Sequence, residues 1–241
     1  MVPAALDPNA FDVLSFDCYG TLIDWETGIL TALRPLLHAA STPLDDDDLL
    51  DRYARLEARV EAGPYRPYRA VLARVSADLA TELGVVLETG AQRALAASLA
   101  SWPPFADSRE ALARLARRYR LAVVSNVDDD LFAATAERLG VRFDHVVTAQ
   151  QVGAYKPARA MFERARSCFG VPEARWLHVA QSRVHDVVPA RALGIASVWV
   201  DRRGGRGGGA AGSPAEDTGS KLAVPDLTVP DLATLAELAG V

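Results

Sequence analysis

Three features of the sequence predict an α/β chain with a parallel central sheet and an inserted helical domain. Short apolar runs at 11–17, 121–125, 144–148, 176–180 and 195–200 are separated by longer stretches of helical periodicity, the pattern of βαβ units whose sheet is covered on both faces. Residues 26–102 interrupt that alternation with helical periodicity and no strand. At 241 residues the chain has room for one core domain carrying a smaller insert.

The elements follow in order. FDVLSFD at 11–17 is the first strand and closes on an acid. Helices are predicted near 28–40, 46–61, 68–83 and 88–101, punctuated by Pro43, the PYRPY turn at 64–68 and the Pro103-Pro104 pair. The helix at 107–117 opens on Asp107 and Ser108, and the one at 128–139 opens on three aspartates that suit the positive end of its dipole and stops at Gly140. The Gly/Ser-rich stretch 204–220 reads as a linker without chemistry. A last extended piece and a capping helix complete the chain. The division expected is a Rossmann-like core of 1–25 and 103–241 under a helical cap of 26–102.

Composition narrows the function. Half the residues are hydrophobic and 24% are charged, which excludes disordered, collagen-like and coiled-coil chains. A net charge of -5 supplies no field for nucleic acid or an anionic membrane, so a small-molecule partner is expected. Cys18 and Cys168 provide no disulfide framework or zinc spacing, and no export signal or membrane span is read, so the expected location is the cytoplasm. The only lysines are Lys156 and Lys221.

In an open parallel sheet, ligands bind beyond the carboxyl ends of the strands. The polar residues at or just beyond those ends are Asp17, Ser125-Asn126, Lys156 and the segment from Gln181 to Asp186. Together they make a covalent-catalysis constellation. Asp17 is the candidate nucleophile, forming and then releasing an aspartyl ester, and Lys156 holds it ionised. Thr21, Ser125 and Asn126 are expected to orient carboxylate or substrate oxygens, and Asp186 to position water. Cys18, next to Asp17 on the strand, should face the core.

These residues resemble the motifs of the haloacid dehalogenase superfamily. Asp17-Cys18-Tyr19-Gly20-Thr21-Leu22 is similar to its first motif, Ser125-Asn126 to its second, Lys156-Pro157 to its third and the segment ending in Asp186 to its fourth, with the helical insert where that superfamily places a cap. Within it, Tyr19 separates two branches. Phosphatases usually carry a second aspartate at that position as general acid, with paired acids for magnesium in the fourth motif; a tyrosine of pKa about 10 is a poor replacement. The D-x-Y-G-T-L form instead resembles the L-2-haloacid dehalogenases, which need no metal. The resemblance implies in-line attack by Asp17 on the carbon bearing halogen of a small 2-haloalkanoic acid, with Tyr19 walling an apolar pocket. It implies no cofactor, leaving open a weak Mg²⁺ site at Asp17 and Asp186, and adds a homodimer as the expected assembly. The alternatives are a phosphatase, or a hydrolase of an epoxide or another activated carbon electrophile.

The chain departs from the dehalogenase pattern in two places. The fourth motif keeps Ser182 and Asp186 but has Gln181 and Arg183 where S-S-N is usual, and Phe162 stands where a tyrosine is common. An arginine of the cap normally meets the leaving halide; Arg52, Arg55, Arg59, Arg66 and Arg69 are available, with Arg55, Arg66 and Arg69 the candidates by register and turn. Trp25 at the cap hinge and Arg183 join the expected pocket, and His185 is a candidate proton relay.

Overall fold

The computed structural model describes residues 7–39, 44–205 and 223–241. Its core is a six-stranded, wholly parallel sheet of β1 (Val13–Phe16), β2 (Arg120–Ser125), β3 (His145–Thr148), β4 (Trp176–Ala180), β5 (Ala196–Val200) and β6 (Leu227–Val229), in the order β3-β2-β1-β4-β5-β6. The order reverses at β1, which has β2 on one side and β4 on the other, so the crevice of the sheet opens at the end of the strand that carries Asp17. All of β1 and β4 is buried, as an apolar run covered by helices on both faces requires. Emptying that interior by Phe16→Ala costs about 3–5 kcal/mol.

The crossovers are helical. α5 (Ser108–Leu115) precedes β2, α6 (Asp129–Leu139) links β2 to β3, and the short α7 (Ala149–Val152) and longer α8 (Arg159–Phe169) link β3 to β4. α9 (Val188–Ala192) leads to β5, and α10 (Leu232–Leu238) packs beside α5. The helix over 159–169 is absent from the sequence-based reading, although Met161, Phe162, Ala165 and Phe169 are buried at helical spacing. The stretch read as a linker lies outside the described residues from 206 to 220.

The insertion between β1 and α5 holds α1 (Trp25–Ala39), α2 (Asp46–Glu61), α3 (Tyr68–Glu82) and α4 (Ala94–Ser98). The fourth predicted helix, 88–101, is corrected to this five-residue piece between 3₁₀ turns at Ala91–Arg93 and Leu99–Ser101. Gly90 sits at φ 88°, and the hydroxyls of Ser98 and Ser101 donate to the carbonyls of Leu95 and Ser98, so local side chains compete for the acceptors a longer helix needs.

The insertion is fastened to the core at Asp128. This residue precedes α6, yet its buried carboxylate accepts from the backbone N–H groups of Tyr68 (2.7 Å) and Arg69 (3.1 Å) at the start of α3. Pro67, the residue before α3, makes no side-chain cap of its own. A core carboxylate thus satisfies the orphan donors of a helix sixty residues earlier, where a cap is worth about 1 kcal/mol.

Candidate active site

The turn after β1 places the first group. The backbone carbonyl of Cys18 accepts from Leu22 and Ile23, and Gly20 adopts φ 90° where a side chain would press on Gln181 and Trp25. That tight turn brings the Thr21 hydroxyl back to donate to Asp17 Oδ2 at 2.7 Å, while Thr21 Oγ accepts from the Gln181 N–H at 2.9 Å, joining the ends of β1 and β4. Cys18 is buried, as expected of the opposite strand face.

The second carboxylate arrives from β4. After Ala180 the chain makes a wide π-type turn over Arg183–Val187, capped by the Ser182 hydroxyl, which accepts from the His185 N–H at 3.1 Å, and this turn points Asp186 inward. Lys156, 3% exposed, lies between the two acids, its Nζ 2.7 Å from Asp17 Oδ1 and 2.7 Å from Asp186 Oδ1. Burial opposes the charge on Lys156, but the two carboxylates outweigh it and hold the ammonium above the ordinary lysine range. Burial likewise works against ionised Asp186, and Lys156 and His178 overcome it, leaving the carboxyl below its usual value. Asn126 fixes the backbone of Lys156 from both sides, accepting from its N–H at 2.7 Å and donating to its carbonyl at 3.2 Å.

A buried chain of hydrogen bonds backs this centre. Ser15 and His178 are register partners on β1 and β4. Trp176 Nε1 donates to Ser15 Oγ at 2.6 Å, Ser15 Oγ lies 2.7 Å from His178 Nδ1, and His178 Nε2 lies 2.9 Å from Asp186 Oδ1. An ionised Asp186 can only accept, so the imidazole carries its proton on Nε2, facing Asp186; the Nδ1 of a neutral ring then accepts the Ser15 proton while Ser15 Oγ accepts from the indole. Asp186 Oδ1 thereby accepts from both His178 and Lys156, while its buried Oδ2 has no partner among the described residues. Neither Ser15 nor His178 was singled out from the sequence; the signal was a histidine inside the otherwise apolar run WLHVA.

These groups open onto a small cleft of about 80 Å³ between the strand ends and the insertion. Asp17, Tyr19, Trp25, Ser125, Asn126, Lys156, Ser182, His185 and Asp186 line it. The Ser125 hydroxyl is buried there with no partner among the described residues. Tyr19 presents its ring, because its hydroxyl is hydrogen-bonded to Thr135 at 2.8 Å, and burial pushes its pKa well up. Burial pushes the His185 imidazole down, toward its neutral form. Phe162 stays in the core with its ring edge-on to His178, at 5.2 Å between centroids.

The expected arginines are displaced from the cleft. Arg55 is exposed and pairs with Glu82, as Arg52 does. Arg66 is exposed, with its carbonyl accepting from the Tyr155 hydroxyl. Arg69 is drawn onto Asp128 and Asp130, and Arg183 lies over the ring of Trp199 at 5.4 Å. The physical reason in α2 is helical phase: Ala54, Glu57, Ala58 and Glu61, at i, i+3, i+4 and i+7, face the cleft, which turns Arg52, Arg55 and Arg59 toward the acids of α3. What the insertion offers instead is two carboxyls. The Tyr53 and Tyr68 hydroxyls each donate to Glu57 Oε1 at 2.7 Å.

For a divalent cation the donor set is thin. Lys156 occupies the position between Asp17 and Asp186, Gln181 and Ser182 supply no further acid, and no group of three or more potential ligands occurs among the described residues. What fold and cleft define is an α/β hydrolase with a buried carboxylate-ammonium-carboxylate centre under inserted helices. The chain belongs to the haloacid dehalogenase-like hydrolase family, whose model matches residues 11–194. It is 26% identical over 236 residues to haloacetate dehalogenase H-2 of Moraxella sp. (strain B), covering 95% of this chain and 98% of that protein. It is 30% identical over 125 residues to (S)-2-haloacid dehalogenase of Pseudomonas sp. (strain YL), covering 51% of this chain and 53% of that protein. L-2-haloacid dehalogenase from Xanthobacter autotrophicus has the same fold, with a TM-score of 0.79 at 20% identity over 95% of this chain and 98% of that one. A second structure of that enzyme, with chloropropionic acid covalently bound, superposes at a TM-score of 0.78, again with 20% identity, 95% of this chain and 98% of that one.

Proposed function

We propose that the chain is a hydrolytic dehalogenase of small 2-haloalkanoic acids that works through an ester on Asp17, with helices of 26–102 acting as the cap over a core of 1–25 and 103–241. The observation that carries the reading is Lys156, whose ammonium is bonded to both Asp17 and Asp186 at 2.7 Å. An ammonium in that position pairs with the nucleophilic carboxylate of Asp17 and anchors the second acid beside it. The covalent adduct in the Xanthobacter structure agrees with an ester-forming nucleophile in this fold.

In the first step an Asp17 carboxylate oxygen forms a bond to the carbon bearing halogen as the carbon-halogen bond breaks, the electron pair leaving with the halide. Chloride and bromide leave without a proton, so the Tyr19 hydroxyl, held by Thr135, is not missed as an acid. Ser125 Oγ is free to donate to the substrate carboxylate. In the second step water adds to the ester carbonyl, giving one proton to Asp186 Oδ2; the bond from the Asp17 acyl carbon to the ester oxygen then breaks and the other water proton passes to the departing alkoxide, releasing the hydroxy acid, restoring the Asp17 carboxylate and leaving the Asp186 proton to return to solvent. Thr21, Asn126 and Ser182 hold Asp17, Lys156 and the 183–187 turn in place. Trp25 and Tyr19 wall the cleft.

The reading includes a small-molecule substrate rather than nucleic acid or membrane, a cytoplasmic location and a homodimeric assembly. Both cysteines are free, in keeping with a reducing compartment, and no described helix is long and apolar enough to cross a membrane. The test is halide and phosphate release, with and without EDTA, from 2-chloro and 2-bromo acids beside an aryl phosphate. Halide release that survives EDTA is the expected result. Magnesium-dependent phosphate release without halide would reassign the chain to the phosphatase branch.

A further inference from the structure

Glu61 is a carboxyl in the catalytic cleft that none of the roles above uses. It stands at the end of α2, on the face that also carries Glu57, and lines the same cleft as Asp17 and Lys156. No hydrogen bond or ion pair engages it among the described residues, whereas Glu57 is held by two tyrosine hydroxyls. Glu61 also borders a second cavity of about 400 Å³, which shares Ala58, Lys156 and His185 with the catalytic cleft. Glu61 therefore borders both the catalytic cleft and this second, outer chamber-like cavity. No arginine lines either cavity among the described residues.

The groups around Glu61 decide its protonation. Glu57 faces it from its own helix, Tyr68 from α3, Tyr65 and Tyr155 from the loops, Lys156, Asp17 and Asp186 from the catalytic centre, and His185 from the turn after β4. Burial first, and then the charge of Glu57, push its carboxyl well above the ordinary carboxylate range against the pull of Lys156. A protonated Glu61 adds no negative charge to a cleft that must admit a carboxylate, and it is a donor where the cap offers no cation.

We propose that Glu61 is the leaving-group acid of this site, acting where the halogen of the substrate is fluorine. The inference rests on the dehalogenase reading. As Asp17 bonds to carbon and the carbon-fluorine bond breaks, the pair departing on fluorine is met by the Glu61 proton, giving hydrogen fluoride and the Glu61 carboxylate. The outer chamber then returns a proton from solvent. Fluoride is a strong hydrogen-bond acceptor and a poor leaving group, so it needs this donor; bromide does not. General acids in such positions contribute about 10²–10⁴-fold.

The experiment compares fluoride and bromide release from 2-fluoro- and 2-bromopropionate by the full chain and by Glu61→Gln and Glu61→Asp. The expected result is a loss of fluoride release by about 10²-fold in Glu61→Gln, with bromide release within about threefold. Fluoride release by the parent should fall as pH rises and Glu61 ionises, an alkaline limb that shifts in Glu61→Asp and that bromide release lacks. Retained bromide release also shows that the variant is folded. Equal losses for both halides, fluoride release unchanged in Glu61→Gln, or no fluoride release by the parent beside good bromide release would each overturn the assignment alone. Absence of bromide release from the parent would instead bring down the dehalogenase reading and this inference with it.

Discussion

The two walls of the cleft are built differently. On the core side nearly every polar atom is spoken for: Thr21 on Asp17, Lys156 on both acids, His178 on Asp186, Ser15 on His178 and Trp176 on Ser15. On the cap side Glu61 has no hydrogen bond or ion pair among the described residues, and Arg52, Arg55 and Arg59 pair with the acids of α3. A buried network in which Asp17, Lys156, His178 and one oxygen of Asp186 are all bonded holds those atoms in one arrangement, as covalent catalysis requires, and leaves Asp186 Oδ2 and Ser125 Oγ for the reactants. On the cap wall the Tyr53 and Tyr68 hydroxyls hold Glu57 while Glu61 stands apart from them, so a change at Glu61 bears on the leaving group and leaves the arrangement of Asp17, Lys156 and Asp186 intact.

The sharpest way to break the core wall is Asp17→Ala, which should reduce halide release by about 10⁴-fold or more in single-turnover assays while the fold survives. Next comes Lys156→Met. It leaves two buried carboxylates facing each other, so activity should vanish and unfolding by urea should show a loss of about 3–5 kcal/mol.

Removing the backing chain is a finer cut. In His178→Phe, Asp186 keeps Lys156 but loses its second donor, so ester hydrolysis should slow more than ester formation. Mass spectrometry should then find the adduct on Asp17 accumulating during turnover, a signature that mere loss of stability does not produce. On the cap wall, Arg55→Ala should change activity by less than about twofold and stability by less than about 0.5 kcal/mol, because its pair with Glu82 is exposed. Arg69→Ala should cost more, since it takes one donor from the buried Asp128.

The same comparison holds for pH. Asp186 is lowered in the folded chain, so its contribution to stability is complete above its unfolded pKa of about 4 and is lost as pH falls through the folded value. Lys156 is raised, so its contribution is complete below about pH 10 and is lost as pH rises through the folded value. Denaturation midpoints should therefore decline at both extremes, and Lys156→Met should flatten the alkaline decline.

The two walls also differ in how legible they were. Asp17 and Ser125 could be read because apolar runs end on or beside them and a parallel sheet gathers its strand ends in one crevice, while Lys156, beyond α7, stood out as one of only two lysines in the sequence. Ser15 and His178 were hidden because their meeting depends on the register of β1 against β4, which no local pattern reports. The arginines misled because a helix shows its periodicity in sequence but not the direction in which it docks. In α2 the small residues Ala54 and Ala58 beside Glu57 and Glu61 marked the face that approaches the core; the charged pattern i, i+4 was the available clue. Residues 159–169 show the reverse case, a helix with clear spacing that was overshadowed by the motif just before it.

The carboxylate of Asp128 closing the start of α3 bears on modularity. A cap excised as 26–102 would leave behind the group that terminates one of its own helices, and a core without its cap would keep a buried acid with nothing to bind. Grafting a different cap onto this chassis therefore calls for a compatible first turn opposite position 128 and a carbonyl to meet the Tyr155 hydroxyl, so cap exchange among relatives should depend on those junctions.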